Sequence, residues 1–252
     1  MITAFADDSI ISGDVIACGV AIVQKDRIAD AESILARSSE AVGIPAATPI
    51  HCRQLFAGDQ RRGTPWEALG AEGAERLVQL VCEGMKSLSE QPIVMLANPR
   101  VAPPHETTEG QRQPWDEKAI ASLLYTGAQQ LLVSRYGADG FRMIGDRDPT
   151  KIPWVGTGRR QAHLTRGGFM HVGAGVEPSR LQPSVETPTP ILMQLADIYA
   201  YTAAQAHSHG GGRKIAWFRK VYGLIAPERG VFEWNADPKW EDSSGIKREG
   251  ST

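Results

Sequence analysis

Four carboxylates stand where folding could gather them. Asp7 follows the apolar run of residues 2–6, and Asp146 ends a second apolar run that starts at Phe141. Asp197 sits inside the apolar stretch 190–207, and Glu186 lies just ahead of it, between Pro183 and Pro188. Hard divalent cations such as Mg2+ or Mn2+ take oxygen ligands, commonly one or two carboxylates plus waters and substrate phosphates. Acids at adjacent strand ends, faced by one from a helix, would build such a site. Two ions about 4 Å apart could then activate a water and stabilise the leaving oxygen of a phosphodiester. Taken singly, each acid has a plainer reading, because Asp is common in turns and one beside a helix can be held by a backbone N–H or an Arg.

Other side chains could complete or replace that chemistry. At 100° per residue, Gln194, Asp197 and Tyr201 form a polar stripe beside the apolar one of the 190–207 helix, so Gln194 and Tyr201 could orient Asp197 or a substrate. His51 could serve as a general acid or base, or simply hydrogen-bond to backbone under a loop. Cys52 beside it suggests a thiol nucleophile, but neighbours on an extended segment point apart. His207 and His209 read as an exposed helix end. Residues 142–166 hold six Lys/Arg, among them Arg147, Lys151, Arg159 and Arg160, against two Asp, with Trp154 between them. Interleaved cations and aromatics suit a nucleic-acid strand, and equally an ordinary solvated loop.

These residues need a scaffold, and the pattern predicts one. Residues 2–6 and 15–23 read as a hairpin around the Ser12-Gly13-Asp14 turn, its second strand buried on both faces. If the first strand carries on without a bulge, Asp7 and Asp8 face opposite ways. Helical periodicity covers 26–42, 71–88, 116–136, 190–207 and 213–225, while 92–97, 141–146 and 169–176 read as strands. Pro190 suits a helix start. Residues 98–114 contain four prolines and no apolar period, which predicts a surface excursion. The polar end from Glu241 reads as frayed. Alternation of this kind predicts an α/β protein with a mixed central sheet and helices on both faces. The boundaries expected are a domain at 1–207 and a C-terminal helical extension with a polar tail at 208–252.

Composition sets the outer limits. With 42% hydrophobic residues in 252, the chain can bury a sizeable core. A net charge of −2 gives no whole-molecule case for nucleic acid, so any basic surface must be local. Three scattered cysteines without a CxxC pair favour free thiols in a reducing compartment. No segment has transmembrane length and the start lacks a signal-peptide pattern, so the expectation is a soluble, cytoplasmic protein with no membrane contact.

Four pieces carry a resemblance: PheAlaAspAspSer at 5–9, IleHisCysArgGlnLeuPhe at 50–56, PheArgMetIleGlyAspArgAsp at 141–148, and the segment from Glu186 to Tyr201 with its Gln-Leu-Ala-Asp run. In that order, over most of residues 1–207, they resemble the domain-of-unknown-function 3800 family, which is assigned a ribonuclease H-like fold. Asp8 and Ile10 depart from it, standing where that family usually has Glu and Gly. The resemblance implies Asp7, Asp146 and Asp197 as analogues of the ribonuclease H-type acids, Glu186 as a fourth ligand, and His51 as an auxiliary base. The function expected is a Mg2+- or Mn2+-dependent nuclease with nucleic acid as its partner. The alternatives are a catalytically inactive module of the same fold that binds nucleic acid or a protein, and a phosphatase of small phosphoesters.

Overall fold

The computed structural model describes residues 2–102, 104–106, 109–113, 115–137, 140–145, 191–210, 213–232 and 246–249. Strand β1 (Ile2–Ile11) turns back into β2 (Val15–Gln24) through Gly13 at φ 65°, with Asp14 N–H donating to Ile11 O at 2.9 Å. The register is unbroken, Asp7 opposite Gly19 and Asp8 opposite Cys18, so the two acids do take opposite faces. Asp7 is mid-strand rather than terminal, because β1 runs on to Ile11. As expected, β2 is buried on both faces up to Gln24.

A 3-10 turn (Lys25–Arg27) leads into α1 (Ile28–Ala41), closed by Gly43 at φ 79°, whose N–H reaches Glu40 O at 2.9 Å. Two short helices follow, α2 (Cys52–Phe56) and α3 (Gly58–Arg61), and after a further 3-10 turn (Glu67–Leu69) comes α4 (Gly70–Met85). The segment around His51 is therefore not extended throughout: His51 is extended at φ −136°, ψ 110°, and the helix starts at Cys52. Cys52, Leu55 and Phe56 are its buried positions, an i, i+3, i+4 stripe that favours a helical turn over a strand.

After β3 (Ile93–Ala97), the described residues of the proline-rich excursion hold a 3-10 turn and a short strand pair. Asn98 Oδ1 caps a 3-10 turn at Pro99–Val101 by accepting from Arg100 N at 2.9 Å, and β4 (His105–Glu106) pairs with β5 (Arg112–Gln113). Asp116 accepts from Lys118 N at 3.1 Å to start α5 (Glu117–Tyr136), and Gly137 at φ 76° follows its end. Strand β6 (Phe141–Gly145), α6 (Met193–His207) and α7 (Arg213–Ile225) fall close to the spans predicted for them. The expected strand at 169–176 lies outside the described residues. Strands β7 (Glu228–Phe232) and β8 (Ile246–Glu249) do not show in the sequence pattern; β8 lies within the stretch that reads as a frayed tail.

The main sheet has the order β6-β1-β2-β3-β7-β8. β1 lies antiparallel to β2 and parallel to β6, β2 antiparallel to β3, β3 parallel to β7, and β7 antiparallel to β8. Residues beyond 207 thus extend the same sheet. Phe5, Ala21, Val23 and Ile144 meet α1, α4, α6 and α7 on one face. Ala4, Ala6, Val20, Ile22 and Met143 meet Ile120, Leu124, Tyr125 and Ala128 of α5 on the other. The molecule is an α/β protein with a mixed sheet and helices on both faces. No described helix is long and apolar enough to cross a membrane.

Candidate functional site

Helix α6 lies directly on the hairpin because β2 offers it a glycine. A Cβ on Gly19 would stand 2.4 Å from Ala200 N and 2.9 Å from Ala196 O, so only Gly lets helix backbone and strand come this close. Directly opposed residues of an antiparallel pair share a face, so Asp7, opposite Gly19, is on the face that α6 covers. Asp197, adjacent to Ala196, is thereby brought to the same region.

Asp197 is 8% exposed, and its Oδ2 accepts two hydrogen bonds: from Cys52 N at 2.7 Å and, with a proton on the ring, from His51 Nδ1 at 3.0 Å. One turn earlier on α6, Gln194 Oε1 accepts from Ile50 N at 2.8 Å. Two side chains of α6 therefore hold three consecutive residues, 50 to 52, by backbone and ring. Asp7, half-buried, accepts its neighbour Asp8 N–H at 2.8 Å on Oδ1.

The charges of this corner show in its titrations. The hydrogen bond from His51 to Asp197 raises the imidazole above its ordinary value, against the opposing effects of partial burial and of Arg53. Burial pushes the Cys52 thiol well up, and the carboxylates of Asp197 and Asp7 push it further, which makes it an inert thiol rather than a nucleophile. All three cysteines are buried and free. The Tyr201 phenol is raised too, first by burial and further by the nearby negative charge of Asp197, and it stays a neutral hydroxyl beside the acids.

The chain matches no family model, no curated protein and no solved structure.

Of the residues singled out in the sequence, Asp7, His51, Gln194, Asp197 and Tyr201 fall in this one corner. Asp146, Glu186, Arg147, Lys151, Arg159 and Arg160 lie outside the described residues. Among the described residues, no group of three His, Cys, Asp or Glu side chains could hold a metal ion. Of the two histidines read as an exposed helix end, His207, the last residue of α6, needs correcting. His207 is half-buried, edge-on to Tyr222 at 5.0 Å, with Arg229 3.4 Å from its Nε2; burial and the nearby arginines lower it to about 4. His209 is exposed but engaged, since its backbone N–H donates to Asp14 Oδ2 at 3.0 Å and its Nδ1 contacts Asp14 Oδ1. Periodicity could not reveal Gly19 as the seat of α6, nor the Asp14–His209 pair, whose partners are 195 residues apart.

Proposed function

We propose that the protein is a metal-dependent nuclease of ribonuclease H-like architecture, related to the domain-of-unknown-function 3800 family. The observation that carries this reading is the seating of Asp197: a helix pressed on Gly19 delivers a buried carboxylate to the sheet face of Asp7. That is the acid-on-strand, acid-on-helix layout the chemistry asks for. The donor set suits a hard cation, since both groups are carboxylates and Asp197 is oriented through Oδ2 by Cys52 N–H and His51, as outer partners orient a ligand. Asp7, Asp197 and Asp146, the residue after Gly145, would hold Mg2+ or Mn2+, with Glu186 as an auxiliary ligand. When bound, the ion supplies Lewis-acid activation of water and of the scissile phosphate.

The remaining work falls to this chain. With its Nδ1–H donated in a hydrogen bond to Asp197 Oδ2, neutral His51 keeps Nε2 as the basic atom, free to take a proton from an attacking water. Gln194 holds Ile50 and with it the approach of His51. Arg147, Lys151, Arg159 and Arg160 supply phosphate contacts, and nucleic acid is the partner. The cytoplasm, where free thiols persist, is the compartment this reading favours.

Calorimetric titration of Mn2+ into the wild type and into Asp7→Asn/Asp197→Asn tests the site, followed by cleavage assays on Asp197→Asn. The expected result is saturable binding lost in the double variant, and cleavage lost by about a thousandfold or more, as for removal of a principal catalytic group, with circular dichroism unchanged. Wild-type turnover in Asp197→Asn sinks the proposal. One observation favours the rival, a non-catalytic module: Asp197 Oδ2 already serves two hydrogen bonds, a role that structure alone would explain. Such a module would bind nucleic acid equally well in EDTA and cleave none.

A further inference from the structure

Helix α2 runs beside α6, so that the pairing of His51 with Asp197 is followed by that of Phe56 with Tyr201, whose rings stack at 5.5 Å with 11° between planes. Helix α7 completes this wall. Trp217 lies 5.8 Å from Phe56, and Lys214 donates to Phe56 O at 3.2 Å with its ammonium 5.5 Å from the ring centre. Phe56 is core, at 7% exposed, whereas Tyr201 and Trp217 are partly buried, packed against that core at its outer edge.

The cations around this strip are exposed: Arg53, Lys214 and Lys220. The charge of Arg53 reaches both His51 and Tyr201. Lys214 and Lys220 stand three residues before and three after Trp217, so they flank it on the helix surface. Neither α2 nor α7 contains an acid, although the chain as a whole is net −2. None of the three cations pairs with an acid among the described residues.

We propose that the strip Arg53–Tyr201–Trp217, edged by Lys214 and Lys220, is the track on which a single-stranded polynucleotide lies as it leaves the Asp7/Asp197 corner. This rests on the nuclease reading for its direction, but its chemistry is separate. Aromatic side chains at the surface accept any base by stacking on what they leave uncovered, and lysines and arginine spaced along them follow the phosphates. A duplex, its bases already stacked on each other, has no use for such rings.

The test is fluorescence anisotropy of labelled oligo-dT, oligo-U and a hairpin duplex, in EDTA, across a salt series. The wild type binds single strands more tightly than the duplex, with the dT and U arms standing for a DNA and an RNA strand. Arg53→Ala/Lys214→Ala/Lys220→Ala lowers the slope of log affinity against log salt by about 2, since each phosphate contact on a single strand contributes about 0.7. Trp217→Leu weakens binding about tenfold and leaves that slope alone. No single-strand binding by the wild type, tighter duplex binding, or a triple variant with wild-type slope and intact circular dichroism overturns the track. The Mn2+ titration stays independent: no Mn2+ binding by the wild type, with single-strand binding as expected, sinks the nuclease, and Mn2+ binding without single-strand binding sinks the track.

Discussion

Two Asp–His pairs sit near the two ends of α6, and by exposure they are nearly twins. The His side chains are 56% and 59% exposed and the Asp side chains 11% and 13%, for His51–Asp197 and His209–Asp14 respectively. Each carboxylate accepts an imidazole and a backbone N–H, from His51 and Cys52 in one case and from His209 twice in the other. Their surroundings differ. Asp197 shares its corner with a second carboxylate, Asp7, and an uncharged thiol. Asp14 has the guanidinium of Arg100 3.8 Å away, in a hairpin tip further tied by Glu117, which accepts from Gly13 N at 2.6 Å and Ser12 Oγ at 3.2 Å. The same two side chains thus make a negative corner with an outward imidazole at one end and a neutralised clamp at the other. An Asp–His pair signals chemistry only through its neighbours.

The position that serves both pairs is Gly19, because the seat of α6 sets both ends. Gly19→Val would drive a branched side chain into the backbone at Ala200 and Ala196, which cannot yield as a side-chain tip can. Overpacking of this kind costs about 3 kcal/mol or more. Urea unfolding should show that loss together with weakened signatures of both pairs in the imidazole NMR region. A Gly19→Val protein of wild-type stability would mean that α6 is not seated there.

The comparison sharpens when each clamp is broken alone. Asp14→Ala leaves the His209 N–H and ring without their acceptor at the hairpin tip, and should cost about 1 kcal/mol. It should leave Mn2+ affinity unchanged. Asp197→Asn keeps one acceptor oxygen for Cys52 N–H, so it too should cost about 1 kcal/mol in stability, yet it should abolish metal binding. Equal effects of the two on Mn2+ titration would erase the distinction between them.

The sequence carried the scaffold further than the site. Strong periodicity and turn chemistry marked the β1–β2 hairpin, α5 with its Asp116 cap, and the polar stripe of α6. Strand β7 was hidden because Gly230 interrupts it: a Cβ there would come 2.4 Å from Met95 Sδ, so the glycine marks close packing rather than a turn. Strand β8, IleLysArgGlu, is mostly charged and borrows its order from β7. At the site, Asp197 and Gln194 were legible as polar residues on an apolar helix, but their partners were not. Ile50 N and Cys52 N are backbone groups 144 and 145 residues away, and no side-chain pattern announces a backbone donor. Removing the first of those clamps is a smaller test. Gln194→Ala should cost about 1 kcal/mol by freeing Ile50 N–H, and Gln194→Glu, which keeps an acceptor oxygen, should restore most of it.

The smallest effect separates the pairs by sign. His51 is raised above 6.5 by its bond to Asp197, so its contribution to stability is whole below that value and is lost as pH rises through the raised one. For Asp14, burial would push the carboxyl up, but the hydrogen bonds from His209 prevail and hold it below 3.8. Its contribution is whole above 3.8 and is lost as pH falls through the lowered value. Both histidines are more than half exposed, so each contribution is about 0.5 kcal/mol at most after solvent screening. In urea unfolding against pH, the gap between wild type and His51→Gln should close on the alkaline side of neutrality, and that between wild type and Asp14→Asn in acid. If both gaps close on the same side, one pair has been misread. Added salt should shrink the two gaps but leave the pH at which each closes in its own direction, because screening weakens a charge pair without changing which partner carries the proton.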